Sequence, residues 1–131
     1  MGELNVTFGW LWINGGIISG MIMGLWSFAG PLKCPPGMEE YSSLRRRFIR
    51  LGHVAFIALP ILNILLGREL DSMNISDLLK YTASYAMIFT AVGMPLGCFV
   101  AAFKNSFKYF LILPATSFFV VTLIMGWGVL S

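Results

Sequence analysis

Four long apolar runs, separated by short polar segments, dominate the hydrophobic pattern of this chain. They lie at about residues 7–30, 48–67, 78–103 and 107–130. Each is long enough to cross a bilayer, which takes about 20 helical residues. The runs do not alternate as barrel strands do, and backbone in lipid needs internal hydrogen bonds, so they predict helices. The short connections then predict a single membrane domain over 1–131, an all-α four-transmembrane-helix bundle with up-down antiparallel topology.

Composition supports a membrane location. The 131 residues are 57% hydrophobic and only 11% charged, whereas soluble domains carry about 25% charged residues. The formal net charge is +3, but the basic side chains lie at the ends of the apolar runs, where they set topology. We therefore expect the lipid bilayer and other membrane subunits as partners, and no nucleic acid.

Basic residues are concentrated between the first and second runs and between the third and fourth. The first connection supplies Lys33, Arg45, Arg46 and Arg47, with Arg50 just inside the second run, and the third supplies Lys104 and Lys108. The second connection, "RELDSMNISD", is net acidic. The positive-inside rule predicts that both termini lie outside. We expect an integral protein of a bacterial inner membrane with periplasmic termini.

The beginning of the chain and its tryptophans fit this orientation. "MGELNV" lacks the basic residues of a signal peptide, so the first run is expected to remain as a membrane helix. Trp10, Trp12 and Trp127 are expected at the outer interface, and Trp26 near the inner one.

Small residues recur at four-residue spacing in the first and third runs. Gly16, Gly20 and Gly24 form one stripe, and Gly93, Gly97 and Ala101 form the other. This spacing allows close approach of a second helix. The stripes predict either packing within the chain or docking of another subunit.

One proline occurs in each of the last three runs: Pro60, Pro95 and Pro114. Each removes a helical hydrogen bond and so frees the carbonyl four residues earlier, on Phe56, Ala91 and Phe110. We expect bowed helices that open a cleft or fit a neighbour.

Neutral side chains account for most of the polarity expected inside the membrane. Asn14 and Asn63 are the amides, and the hydroxyls are those of Ser19, Thr82, Ser84, Thr90, Thr116, Ser117 and Thr122. No Asp, Glu or Lys lies deep in a run. Ion-coupled transport normally needs such groups, and acid–base catalysis needs a carboxylate pair or triad. We expect a protein without catalytic residues that is not an enzyme by itself.

His53 is the single histidine of the chain and the one candidate cofactor ligand. It could ligate haem b with a methionine or another chain's histidine, donate to a quinone, or bind copper with Cys98 and methionines such as Met94. It could also pair with a carbonyl, a lipid phosphate or a partner loop. Its position about one turn beyond Arg50 favours this last, structural role.

Three functions remain open from the sequence. The first is a non-catalytic small multi-pass subunit of a larger membrane complex, expected in a bacterial respiratory or redox assembly. The second is a redox module for electron transport in which His53 contacts haem or quinone. The third is a self-assembling channel or carrier, for which the scattered hydroxyls provide a poor lumen. Bound lipid is expected in each case.

Overall fold

The computed structural model describes residues 1–27 and 30–130. Its long helices are α1 (Gly2–Trp26), α2 (Leu44–Leu70), α3 (Asp77–Phe103) and α4 (Ile112–Leu130). A 3-10 helix, Asn105–Leu111, leads into α4. The described residues contain no strand, and four helical stretches are long and apolar enough to cross a membrane. The all-helical fold and the four candidate membrane spans are thus confirmed.

Two helices begin earlier than hydropathy predicted, because polar side chains cap them. α1 starts at Gly2 rather than near residue 7, and the Asp71 carboxylate accepts the Gly2 backbone N–H at 3.1 Å. A carboxylate is favourable at a helix N-terminus. α2 starts at Leu44 because the Ser43 hydroxyl accepts the backbone N–H of Arg46 at 3.3 Å. The arginines expected in the first connection therefore lie in the first turn of α2.

Other helix ends also differ from the apolar runs. α1 ends at Trp26, and Ser27 is extended with a ψ of 148°. The predicted helix over residues 28 and 29 lies outside the described residues. α2 continues to Leu70, three residues beyond its apolar run.

The helices pack as a row in chain order. α1 packs mainly on α2, α2 on α3 and α3 on α4, with a smaller contact between α1 and α3. In the most apolar stretches, 50% of α2 and 44% of α3 is buried, against 11% of α1 and of Asn105–Leu130. The central pair therefore supplies most of the core, and the outer helices expose most of their surface.

The register of α1 on α2 is set by close contacts between glycine and neighbouring backbone. Gly9 lies against Pro60 and Ile64, whereas Gly16 lies against Phe56. Residue numbers on α2 thus fall as those on α1 rise. We call the end formed by loop 71–76 and the first turn of α1 the loop-two end. The opposite end, formed by residues 30–43 and the first turns of α2, is the loop-one end.

Candidate functional site

A seven-residue repeat on α1 forms the contact with α2. Gly2, Gly9 and Gly16 are buried, and a Cβ added at Gly16 would lie 2.6 Å from the carbonyl oxygen of Phe56. At Gly9 the corresponding distance to the Pro60 carbonyl is also 2.6 Å. Seven-residue spacing keeps side chains on one seam between packed helices. We call these three glycines the glycine seam.

A second set at the same spacing, Asn5, Trp12 and Ser19, carries the polar contacts of α1. Each of these side chains bonds a different partner across the helix interface. Sequence reasoning missed Asn5 and placed Trp12 at the membrane interface. Both sets recur every seven residues, and this spacing in the sequence could have indicated the contact with α2. The prediction used the four-residue spacing of the glycines instead.

Asn5 belongs to a buried polar network at the loop-two end. Asn5, Asn63 and Ser84 are each 0% exposed. Asn5 Nδ2 donates to Asn63 Oδ1 at 2.8 Å, and the Ser84 hydroxyl donates to Asn5 Oδ1. Asn63 Nδ2 donates to the carbonyls of Leu59 and Met87, both at 3.3 Å. The network joins α1, α2 and α3 and satisfies its own donors and acceptors.

Trp12 makes a hydrogen bond between α1 and α3. Its Nε1–H donates to the Ala91 carbonyl at 2.9 Å, and its ring lies 5.1 Å from that of Phe56. Pro95 removes the helical partner of the Ala91 carbonyl, so an indole donor takes its place. This explains why Trp12 points into the helix row.

The contact between α3 and α4 uses short polar and small side chains. The Thr90 hydroxyl lies 2.8 Å from the Ala86 carbonyl and 3.2 Å from that of Pro114, and Ser117 donates to Ala86 at 3.0 Å. The second small-residue stripe faces the same neighbours. A Cβ at Gly93 would lie 3.3 Å from Pro114 Cβ, and one at Gly97 would lie 2.7 Å from Leu111 Cδ2.

The remaining predicted packing residues differ in burial. Ala101 is 2% exposed. Gly20 lies against His53, but a Cβ at Gly24 would meet nothing described within 4 Å. Gly24 therefore does not pack against another described helix of this chain. Docking of another subunit at Gly24 stays a prediction. Asn14 is exposed and donates to the carbonyls of Trp10 and Leu11 on its own helix.

His53 pairs with Ser19 across the interface between α1 and α2. Its Nδ1 lies 2.9 Å from the Ser19 hydroxyl oxygen, and that hydroxyl donates to the Gly16 carbonyl at 2.7 Å. A hydroxyl has a single hydrogen, so Ser19 accepts the His53 Nδ1–H. This tautomer leaves Nε2 as the ring nitrogen without a described partner. Within 1–27 and 30–130, no three His, Cys, Asp or Glu side chains gather as a metal site.

The loop segment 30–43 contacts the arginines that begin α2. Arg45 donates from Nε to the Ala102 carbonyl at 3.0 Å and from Nη1 to that of Pro36 at 2.6 Å. Backbone N–H groups of Glu39 and Gly37, and to a smaller extent the charge of Arg45, lower the pKa of the exposed Glu39 carboxyl. Arg45 is thereby engaged by the loop.

Arg46 also donates to a loop carbonyl, that of Met38 at 3.3 Å, and both Arg46 and Arg50 contact the ring of Tyr41. The Arg50 guanidinium carbon lies 3.9 Å from the centroid of Tyr41, and that of Arg46 lies 5.3 Å from the same ring. Nη1 of Arg50 is buried and has no hydrogen-bond partner in the described part of the chain. The salt bridge that the described residues do form lies at the other end, between the Met1 amine and Asp71.

Two cavities adjoin the Ser19–His53 pair. A groove of about 340 Å³ is lined by Gly20, Gly24, Ser27, Arg50 and His53, together with Met23 and Val54. An apolar cavity of about 280 Å³ is bordered by Ser19 and walled by Trp26, Phe99 and Phe103 among others. The predicted topology arginine Arg50 and the predicted ligand His53 are thus brought together in one groove.

The chain matches no known family model, no curated protein and no solved structure in the comparisons made. Its function therefore has to be argued from these contacts alone.

Proposed function

We propose that the chain is a non-catalytic, multi-pass structural subunit of a larger membrane assembly. The observation that carries this proposal is that the buried polar side chains bond one helix to another. Asn5, Asn63, Ser84 and Thr90 are all 0% exposed, and each bonds another helix of the row. Side chains engaged in holding helices together favour a structural role over a chemical one.

The row arrangement also favours a subunit. α1 and α4 are the outer helices, and large apolar side chains such as Leu11 and Leu123 remain exposed along them, at 69% and 58%. Such surfaces suit lipid tails on one side and a neighbouring helix on the other. A bacterial respiratory or redox complex remains the assembly we propose.

Native mass spectrometry of the complex extracted in a mild detergent tests this function. We expect the 14.5 kDa chain to appear with other membrane chains at a fixed ratio, unchanged across two detergents and across protein concentrations. A chain released alone, or bound to companions in varying ratio, contradicts the proposal.

The proposed insertion is antiparallel, with both termini outside and the loop-one end in the cytoplasm. Its support is the arginine group at the start of α2. The test is cysteine labelling in intact cells, in a background carrying Cys34→Ser and Cys98→Ala. Ser42 and Asn74 are exposed in the two loops. An impermeant maleimide is expected to label Asn74→Cys at once and Ser42→Cys only after permeabilisation, and the reverse pattern overturns the orientation.

A quinone-binding redox module is the second candidate. It is favoured by the apolar cavity of about 280 Å³, whose aromatic walls include Trp26 and Phe99 and whose polar border is Ser19, the partner of His53. Solvent extraction of the purified complex followed by chromatography tests it. Stoichiometric quinone that Phe99→Ala removes and Phe119→Ala retains would favour this candidate, since Phe119 is exposed on α4.

A further inference from the structure

The groove at the loop-one end between α1 and α2 owes its room to two glycines. Gly20 and Gly24 line it on α1, and Arg50 and His53 line it on α2. A Cβ at Gly24 would meet nothing described within 4 Å. The groove is therefore open space rather than a packed contact.

Arg50 brings a positive charge to this groove without a described carboxylate partner. One face of its guanidinium is covered by Tyr41, at 3.9 Å from the ring centroid, and its buried Nη1 has no hydrogen-bond acceptor in the described residues. A buried donor without an acceptor is costly, more so when it is charged. An anion that displaced Tyr41 from the guanidinium would supply the missing acceptor.

His53 and Ser27 add further polarity to the groove walls. The Ser19 contact fixes the His53 proton on Nδ1, which leaves Nε2 available to a ligand. In this tautomer Nε2 is an acceptor, which suits a hydroxyl of a lipid headgroup. The guanidinium of Arg50 is the donor, and arginine pairs well with phosphate oxygens.

We propose that this groove binds a phosphate group, and that in the membrane the phosphate belongs to the headgroup of an anionic lipid. The lipid source is favoured because the groove lies beside Val54, an apolar side chain that is 58% exposed on the same helix. Acyl chains can follow that surface while the phosphate stays at the arginine. Arg46 and Arg47 raise the local positive potential that attracts anionic headgroups.

Tyr41 controls access to the guanidinium. Its side chain is 64% exposed, so the ring can turn away from Arg50 as the phosphate approaches. Binding thus replaces a cation–π contact by a charge-assisted hydrogen bond, which is the stronger interaction.

The experiment uses the delipidated full chain in detergent, with phosphatidylglycerol and phosphatidylcholine as probes and native mass spectrometry as the readout. We expect wild type to retain phosphatidylglycerol in preference. Arg50→Gln should weaken that preference about tenfold, the effect of one lost charge-assisted hydrogen bond. The matched control is Arg68→Gln, since Arg68 is an exposed arginine at the other end of α2. Loss of the preference in Arg68→Gln as well, or its retention in Arg50→Gln, overturns the site.

A second pair of variants separates binding from folding. Gly24 and Gly126 both have open space around an added Cβ among the described residues, but only Gly24 lines the groove. Gly24→Leu should therefore reduce phosphatidylglycerol retention as Arg50→Gln does, with an unchanged unfolding midpoint in detergent alone. Gly126→Leu should change neither. Full retention in Gly24→Leu places the lipid elsewhere and overturns the proposal.

A third arm distinguishes the source of the phosphate. Inorganic phosphate is added to the lipid-free protein, and the unfolding midpoint is compared between wild type and Arg50→Gln. We expect little change with inorganic phosphate and a clear increase with phosphatidylglycerol. An Arg50-dependent increase with inorganic phosphate alone, equal to that with lipid, shows a free-anion site and overturns the lipid source. These lipid-binding experiments use the isolated chain, so their results do not depend on whether the chain is a subunit of a larger assembly.

Discussion

The two ends of the helix row are held by opposite kinds of polar contact. At the loop-two end, Asn5, Asn63 and Ser84 are fully buried and bond one another. At the loop-one end, Arg50 stacks on Tyr41, keeps one nitrogen without an acceptor and borders a groove of about 340 Å³. The first end is closed by neutral side chains buried between helices, and its salt bridge between Met1 and Asp71 lies nearer the surface, with Asp71 56% exposed. The second end has a charged side chain with an unpaired buried nitrogen, beside open volume. The loop-two end thus holds the helices together, whereas the loop-one end has the open volume in which we propose that a lipid phosphate binds.

The largest change in the free energy of unfolding is expected in the glycine seam. A variant in the open groove of the same helix serves as its comparison. Gly16→Leu forces a side chain against the Phe56 carbonyl, 2.6 Å from the added Cβ, and should lower the free energy of unfolding by about 3 kcal/mol. Gly24→Leu, which meets nothing described within 4 Å, should leave it unchanged. Unfolding by denaturing detergent measures both, and equal losses would show that α1 does not pack as described.

Asn63→Leu should give the next largest loss, because it breaks the polar network at its centre. Asn63 accepts from Asn5 and donates to Met87 across the interface. We expect the free energy of unfolding to fall by about 2 kcal/mol, because two interhelical hydrogen bonds are lost. Such bonds in membranes contribute about 0.6 kcal/mol each and up to about 1.7. Asn14→Leu is the control, because exposed Asn14 bonds only its own helix.

A double-mutant cycle sharpens this prediction. Asn5→Leu and Asn63→Leu remove two ends of the same 2.8 Å bond, so their effects should be non-additive. Additive losses would mean that the two amides act separately and that the loop-two end is not one network.

The four helical stretches could be predicted because few backbone structures are stable in lipid. A long apolar run must be helical to satisfy its own backbone, so hydropathy alone located the candidate spans now found. The ends of α1 and α2 could not be read in the same way. Asp71 caps Gly2 from 69 residues away, and no local pattern announces such a contact.

Side-chain partners were predicted less well than helices, for a related reason. His53 and Asn63 could be singled out as the rare polar side chains of α2, but their partners Ser19 and Asn5 lie on another helix. Relative rotation of two helices depends on packing of the whole interface. Asn5 was missed because it precedes the apolar run, although it shares the heptad of Trp12.

Trp12→Phe tests the contact midway between the two ends. It keeps an aromatic ring beside Phe56 but removes the donor to the Ala91 carbonyl, which Pro95 has left without a helical partner. We expect a loss of about 1.5 kcal/mol in the free energy of unfolding, the range for an unsatisfied buried carbonyl. Trp10→Phe is the control, since Trp10 is 57% exposed. An equal loss of unfolding free energy in both variants would show that the Trp12 hydrogen bond does not stabilise the helix contact.

The smallest effect is expected for His53, at the open end. Its bond to Ser19 is only part-buried, so His53→Leu should lower the free energy of unfolding by about 1 kcal/mol, a typical net value for one hydrogen bond. His53→Gln keeps a polar amide at similar reach and should restore most of that stability. Ser19→Ala should match His53→Leu, and the double variant should lose no more than either alone, because both remove the same bond. Stoichiometric haem in the purified wild type, absent from His53→Gln, would instead make His53 a cofactor ligand and the loop-one end a redox site.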